Sequence, residues 1–152
     1  VVARHDRTGR AHFAIDEVMV LPPFGPNSYS DLLWVTGQSP ADNMDERDLR
    51  GSVHGLVVDG GTVVRILDVA PGNETPMHRT ISVDYLLITR GEIDLELESG
   101  ETRTLRAGDF VVQRGTSHRW INRSGAWMQM VAILVAAKPV AIDGTELPEI
   151  HI

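Results

Sequence analysis

The chain has 152 residues, of which 42% are hydrophobic and 5% aromatic, and its 14 basic and 21 acidic side chains give a net charge of −7 at pH 7. This length fits one domain with an aliphatic core. The acidic balance argues against nucleic acid as a partner, because a negatively charged protein repels a phosphate backbone.

Cysteine is absent from the sequence, which excludes disulfides and thiolate metal sites. Its absence fits the reducing cytoplasm, where we expect the protein to be located. The best apolar run, residues 130–137, is far shorter than the roughly 20 residues that a membrane helix needs. We therefore expect no membrane partner.

The first 55 residues have an irregular pattern. Strands are predicted at residues 18–21 and 32–35, on either side of a proline-rich loop, and at most one helical turn is predicted at residues 45–49. We expect residues 1–55 to pack on the main domain or on a partner subunit, as part of the interface of a homodimer.

Residues 56–138 carry the dominant signal, which is a series of short strands separated by turn residues. The predicted strands are 63–69, 85–89, 93–97, 102–105, 110–113, 119–122 and 127–135. In the third of these, apolar and acidic residues alternate, as in a strand with one buried face. Arg103 on the next strand is expected near this acidic face. The series predicts an all-β sandwich or barrel, and residues 139–152 are expected to form an extended arm over the barrel or a partner subunit.

The first of two motif-like segments follows the 63–69 strand. Gly72 is followed after five residues by His78, and Thr80 comes two residues later, then Asp84, with Gly91 seven positions beyond it. This order resembles the first motif of the cupin family: Gly, five residues, His-x-His, three or four residues, Glu, six residues, Gly. Thr80 stands where the family has its second histidine, and Asp84 stands where it has glutamate.

The second segment begins at Gly108 and contains Gln113-Arg-Gly115, then His118 and Asn122. It resembles the second cupin motif: Gly, five residues, Pro-x-Gly, two residues, His, three residues, Asn. Gln113 replaces the proline, with one residue fewer before it. The chain also looks like a cupin subgroup with His-Arg-Thr and Gln-Arg-Gly-Thr signatures.

The resemblance implies an all-β, double-stranded β-helix (jelly-roll) barrel with a metal site inside it. His78, Asp84 and His118 would then be the metal ligands. Two imidazoles and a carboxylate suit one divalent ion of iron, manganese, nickel or zinc, with open positions for substrate or water. Because aspartate is one methylene shorter than glutamate, two roles stay open for Asp84: direct ligation, or orientation of a ligand.

Further site residues are assigned with the resemblance as guide. The candidate catalytic residues are Asp84, Tyr85 and Gln113. The candidate substrate-pocket residues are Thr80, Trp120, Asn122 and Arg79. For each pocket residue a structural role is the alternative, such as a core hydroxyl, a packed aromatic ring, a turn or a solvated rim.

Two functions follow from these assignments, with a small molecule as the partner in both. The first is a metal-dependent enzyme acting on a small organic acid or oxygenated metabolite, by decarboxylation, dehydration, isomerisation or dioxygenation. Fold does not choose among these reactions. The alternative is a metal-free module that binds a small molecule. A purely structural interaction protein would leave two inward-facing histidines without a purpose.

Overall fold

The computed structural model describes residues 1–151, which form twelve β-strands and one short 3₁₀ helix, Arg50–Ser52. The strands are β1 (Val2–His5), β2 (Ala11–Ile15), β3 (Ser28–Thr36), β4 (Thr62–Val69), β5 (Ser82–Arg90), β6 (Glu92–Leu97), β7 (Thr102–Arg106), β8 (Phe110–Arg114), β9 (His118–Ile121), β10 (Met128–Ala136), β11 (Ala141–Ile142) and β12 (Thr145–Glu146). The all-β prediction is confirmed, and no helix among these residues is long and apolar enough to span a membrane.

Two antiparallel sheets enclose the core. The larger has the order β3-β4-β10-β5-β8 and the smaller the order β7-β6-β9. The segment between β4 and β5 continues the smaller sheet through backbone bridges from Glu74 to Ile121 and from His78 to His118. Both sheets therefore contribute one inward face to the same interior.

The core is built by strict alternation along β10. Met128, Met130, Ala132 and Leu134 are buried, and the residues between them are partly exposed. These side chains pack in one cluster with apolar residues of both sheets, among them Ile93 of β6. Burying one such large apolar side chain stabilises the fold by about 1.5–3 kcal/mol.

The inward faces of β4 and β5 are not uniformly apolar. On β5 the buried positions change from Ser82 and Asp84 to Leu86 and Ile88 along the strand. On β4, Arg65 falls on the face that also carries buried apolar residues, because side chains alternate along a strand. The interior thus has polar side chains at defined positions within an apolar wall.

The expected position of Arg103 is wrong. The register of β6 and β7 places it opposite Leu95 rather than an acidic residue, and opposite residues of an antiparallel pair share a face. Other arginines pair with the acidic face of β6. Arg106 Nε of β7 lies 3.3 Å from Glu92 Oε2, and Arg119 Nη2 of β9 lies 2.7 Å from Glu96 Oε1.

Two elements predicted in the N-terminal third differ from the structure. Residues 18–21 form no strand, and Val18 and Val20 are 94% and 85% exposed, so burial does not favour pairing of this run. The helical turn predicted at 45–49 occurs later, at Arg50–Ser52. Carboxylates in this loop accept hydrogen bonds from backbone amides two residues on, as Asp45 does from Arg47, which competes with helix formation.

The strand predicted at 32–35 is present and forms part of β3, which adds an edge strand to the larger sheet. The C-terminal segment forms the β11–β12 hairpin, turning at Asp143-Gly144 with φ of 51° and 80°. Ile150 then pairs with Arg79 through two backbone hydrogen bonds. Residue 152 of the predicted arm lies outside the described residues.

Gly61 lies where β4 begins and passes very close to the backbone of β3. A Cβ atom at this position would lie 2.0 Å from the Thr36 carbonyl oxygen, whereas one at Gly125 would have no neighbour within 4 Å. We expect Gly61→Ala to lower the free energy of unfolding by about 1–3 kcal/mol, because the two strands must move apart. Urea denaturation measures this change, and equal stability of Gly61→Ala and Gly125→Ala would contradict the described strand packing.

Candidate functional site

Two histidines face each other where the segment between β4 and β5 pairs with β9. His78 donates its backbone N–H to the His118 carbonyl at 2.8 Å, and His118 returns the bond at 2.9 Å. Such a hydrogen-bonded pair places both side chains on the same face. The two ring centroids are accordingly 4.2 Å apart.

Each imidazole is held by a carbonyl oxygen two residues before it. His78 Nδ1 lies 2.9 Å from the Pro76 oxygen, and His118 Nδ1 lies 2.9 Å from the Thr116 oxygen. A carbonyl oxygen only accepts, so Nδ1 carries the proton in both rings. In the neutral rings, Nε2 then presents its lone pair, which is the form that binds a metal or accepts a proton.

Burial keeps both rings neutral. It lowers the pKa of His78, against the opposing effect of the Pro76 carbonyl. It lowers the pKa of His118 to about 4, with a further contribution from the neighbouring His78 ring and an opposing one from the Thr116 carbonyl. At neutral pH the pair therefore offers two unprotonated Nε2 atoms.

Asp84 lies on β5, 5% exposed, and is bonded to two hydroxyl groups. Ser82 Oγ donates to its Oδ1, and Thr80 Oγ1 donates to its Oδ2 at 3.2 Å. Burial raises the pKa of the Asp84 carboxyl, and the Ser82 and Thr80 hydroxyls oppose that shift. The carboxyl consequently binds a proton more readily than an exposed aspartate.

These groups line one cavity inside the barrel, with a volume of about 60 Å³. Its wall is mainly apolar, and its lining residues are Phe24, Ser30, Leu56, Arg65, Leu67, Thr75, His78, Thr80, Asp84, Leu86, His118, Trp120, Met130, Ala132 and Leu134. A small molecule in this cavity would meet few polar groups, each at a fixed place.

The cavity also contains an arginine that the motifs do not include. The Nε and Nη1 atoms of Arg65 are shielded from solvent and have no hydrogen-bond partner among the described residues. Its guanidinium carbon lies 5.0 Å from the centroid of the Phe24 ring. Burial lowers the pKa of Arg65, and the charge of Asp31 opposes the shift.

The side chains at the cavity meet part of the requirements of a divalent metal. Within residues 1–151 no group of three or more His, Cys, Asp or Glu side chains is arranged to hold a metal ion. The two Nε2 atoms of His78 and His118 do fit an ion that takes nitrogen ligands, with its other positions open. Asp84 reaches the same cavity but is bonded to hydroxyls, and its role as a ligand stays a prediction.

Residues 65–134 match the family model of the cupin domain. Phomopsin biosynthesis cluster protein D from Diaporthe leptostromiformis is 41% identical over 152 residues, which cover 94% of this chain and 80% of that protein. The chain belongs to the cupin family. The cupin-domain-containing oxidoreductase fogC of Aspergillus ruber (strain CBS 135680) is 37% identical over 124 residues, covering 78% of this chain and 61% of that protein.

A solved structure supports the fold of this cupin. An uncharacterised conserved protein with a double-stranded β-helix domain from Klebsiella pneumoniae subsp. pneumoniae MGH 78578 superposes with a TM-score of 0.58 at 16% identity. The alignment covers 81% of this chain and 92% of that protein. The predicted double-stranded β-helix barrel is thereby confirmed.

Two of the candidate catalytic residues have different positions in the cupin barrel. Gln113 lies directly opposite Asp84 in the β5–β8 register and is 3% exposed. Its Oε1 accepts a hydrogen bond from Thr116 Oγ1, and its Nε2 has no partner among the described residues. Tyr85 is 39% exposed and packs near Phe110. The structure does not bring Tyr85 to the cavity, because it follows Asp84 and so points to the opposite face.

The four candidate pocket residues also divide into two groups. Thr80 and Trp120 line the cavity. Arg79 points elsewhere, to Glu98 and the Pro148 carbonyl oxygen.

Asn122, the fourth candidate, is fully buried and does not line the cavity. Its amide donates to the carbonyl oxygens of Val69 and Ala126, and its oxygen accepts bonds from Ser124. The side chain thus closes the loop before β10. Asn122 therefore has the structural role in a turn that was the alternative to a role in the substrate pocket.

The motif-based interpretation missed Arg65 and Phe24. A signal for Arg65 is present in the sequence, since a charged residue interrupts the alternating apolar positions Val63, Leu67 and Val69. No local pattern marks Phe24, which reaches the cavity from the loop before β3.

The lowered pKa of His118 predicts acid sensitivity of the fold. Its pKa is about 4 in the folded protein, against 6.5 for an unperturbed histidine, so the unfolded chain binds more protons between these values. The stability that the neutral ring contributes is complete above pH 6.5 and is lost as the pH falls towards 4. In EDTA, we expect wild type to lose about 2 kcal/mol more than His118→Gln between pH 7 and pH 4.5.

Urea denaturation at several pH values measures this difference, with His12→Gln as the control because His12 is exposed. Parallel pH profiles of wild type and His118→Gln would contradict a buried, neutral His118.

Proposed function

We propose that this cupin is an enzyme that acts on a small oxygenated organic molecule inside the barrel, with a divalent metal held by His78 and His118. The observation that carries the proposal is the pairing of two neutral imidazoles whose Nδ1–H groups are bonded to carbonyls. That arrangement leaves the two Nε2 atoms, which can donate electron pairs to a metal, without a hydrogen-bond partner among the described residues in a largely apolar cavity. Two histidines with a purely structural packing role would not need to place their rings on one face of the sheet, and they would not need to carry the proton on the same ring nitrogen.

The metal would supply Lewis acidity towards a substrate oxygen, or redox chemistry if it is iron. The backbone bridge between His78 and His118 holds the two imidazoles at a fixed separation. The carbonyl oxygens of Pro76 and Thr116 fix the ring orientations and make the rings more basic. The chain's contribution is therefore a rigid, preorganised pair of donors.

Asp84 is the group in the cavity best suited to proton transfer. Its raised pKa has burial as the main cause, which shifts the carboxyl towards the neutral range where a general acid–base is most effective. Hydroxyl bonds from Ser82 and Thr80 orient both oxygens. We propose that the Asp84 carboxyl takes a proton from the bound molecule or gives one to it, and that the apolar wall excludes bulk water from this exchange.

The relatives bear on the reaction class. The name of fogC describes a cupin-domain-containing oxidoreductase, and this relative is 37% identical to the chain over 124 residues. Among the reactions that the sequence leaves open, this relationship favours oxidation over decarboxylation, dehydration or isomerisation. We therefore propose an oxidoreductase acting on a small metabolite.

One observation favours a second function, a metal-free cupin that binds the same class of molecule. In the part of the chain that the structure describes, no third donor joins the two histidines. The Asp84 oxygens are occupied by Ser82 and Thr80 rather than free for ligation. Metal content separates the two functions.

We expect about one iron, manganese, nickel or zinc ion per chain in untagged protein purified without chelators. His118→Ala should lower the metal content at least tenfold, because a single imidazole remains. His12→Ala should retain the metal, since His12 is exposed and lies outside the cavity. Elemental mass spectrometry measures the content, and circular dichroism checks that each variant is folded.

Absence of metal after reconstitution with each of the four ions would contradict the enzyme proposal and favour the metal-free function. Equal metal content in wild type and His118→Ala would show that any ion is bound elsewhere.

A further inference from the structure

Arg65 is a charged side chain on the inward face of β4, in a cavity whose wall is mostly apolar. Neighbouring strands place it opposite Leu32 on one side and Ala132 on the other. Both of these side chains are hydrocarbon. Neither of the two directly opposite side chains therefore offers the guanidinium a hydrogen-bond acceptor.

The charge of Arg65 is not matched within the described chain. Its Nε and Nη1 atoms are cut off from solvent and lack hydrogen-bond partners. Asp31 is the acidic group whose charge acts on Arg65, but Asp31 Oδ1 accepts the backbone N–H of Leu32 at 2.7 Å. A buried cation with unsatisfied donors is costly unless something pairs with it.

Aromatic stacking holds the guanidinium in place. The Phe24 ring lies 5.0 Å from the guanidinium carbon, and the loop that carries Phe24 is fixed by its backbone bond to the Ser28 carbonyl at 2.9 Å. A stacked arginine loses little further freedom when it binds an anion. Arg65 thus lines the cavity with its guanidinium stacked on Phe24, and its Nε and Nη1 atoms have no hydrogen-bond partner among the described residues.

We propose that Arg65 binds the carboxylate of a small organic acid whose apolar body lies against the cavity wall. A carboxylate supplies the negative charge and the acceptor oxygens that the guanidinium lacks. This inference rests on the proposed function in one respect, that the cavity is the place where the small molecule is bound. It narrows the substrate class to carboxylic acids.

The strand order gives the substrate its direction. Arg65 on β4 and Asp84 on β5 are separated by β10, which is two strand spacings, or about 10 Å between backbones. Asp84 lies opposite Leu134, one inward position along β10 from Ala132. A molecule anchored by its carboxylate at Arg65 therefore extends along the apolar side chains of β10 towards Asp84 and the histidine pair.

Butyrate and butyramide form a matched test pair, since they share a short apolar chain and differ in charge. Dissociation constants are measured by NMR titration of the full chain as purified, following the backbone amide signals of Ala132 and Leu134, which line the cavity and are present in every variant. We expect butyrate to bind at least tenfold more tightly than butyramide. Arg65→Met should reduce the preference to less than twofold, whereas Arg103→Met, which removes an exposed arginine of β7, should leave it unchanged.

Equal affinity for the two compounds, no saturable binding of butyrate, or an unchanged preference in Arg65→Met would overturn the proposal. So would a lower melting temperature of ligand-free Arg65→Met than of wild type, because an arginine that stabilises the free protein is a structural residue. The unpaired charge predicts that this variant is at least as stable as wild type.

His118→Ala separates this inference from the proposed metal site. Retention of the butyrate preference in His118→Ala supports Arg65 as the anchor. If His118→Ala loses the butyrate preference and Arg65→Met keeps it, the carboxylate binds at the histidines and the inference is overturned. Protein that contains no metal but keeps the Arg65-dependent preference contradicts only the proposed enzyme.

Discussion

The pair of backbone hydrogen bonds between His78 and His118 is the interaction on which the site depends. It joins the segment before β5 to β9, and it brings together two residues that lie forty positions apart in the chain. The same two bonds put both imidazoles on one face of the ladder. A shift of one residue in this pairing would turn one of the rings away from the cavity.

Desolvation then sets the chemistry of the cavity. It acts in opposite directions on its groups, lowering the pKa values of His78 and His118 and raising that of Asp84. Each group is thereby moved towards its neutral form, in which it can bind a metal or exchange a proton without a large electrostatic penalty. Arg65 is the exception, since its guanidinium stays charged and its Nε and Nη1 atoms have no hydrogen-bond partner among the described residues.

Much of the fold could be predicted from the sequence because its strands have a clear period. The alternation along β6 and the turn glycines between strands are local signals. The resemblance of the segments that begin at Gly72 and Gly108 to the two cupin motifs also predicted His78 and His118, which meet in the cavity. The absence of a strand at residues 18–21 could not be predicted in this way. A short apolar run carries no local signal that shows whether a partner strand is available.

Other parts of the site depend on register and tertiary contacts. Successive side chains of a strand point to opposite faces. Because Asp84 points into the barrel, Tyr85, the next residue, points outwards. Arg79 points away from the cavity for the same reason, since it directly follows His78. The alternation could have excluded both from the cavity. Phe24 could not be predicted, because it reaches Arg65 only through the path of a loop. The lack of a partner for Arg65 becomes visible only once the strands beside β4 are known.

The chemistry of the site requires that His78 and His118 are neutral at pH 7, with the proton on Nδ1 and an unprotonated Nε2 facing the cavity. Nitrogen-15 NMR of the imidazoles in metal-free protein tests it most directly, because the shifts of the two ring nitrogens distinguish the tautomers and the protonated form. We expect the Nδ1–H tautomer for both rings. Nε2–H tautomers, or a protonated ring at pH 7, would contradict it.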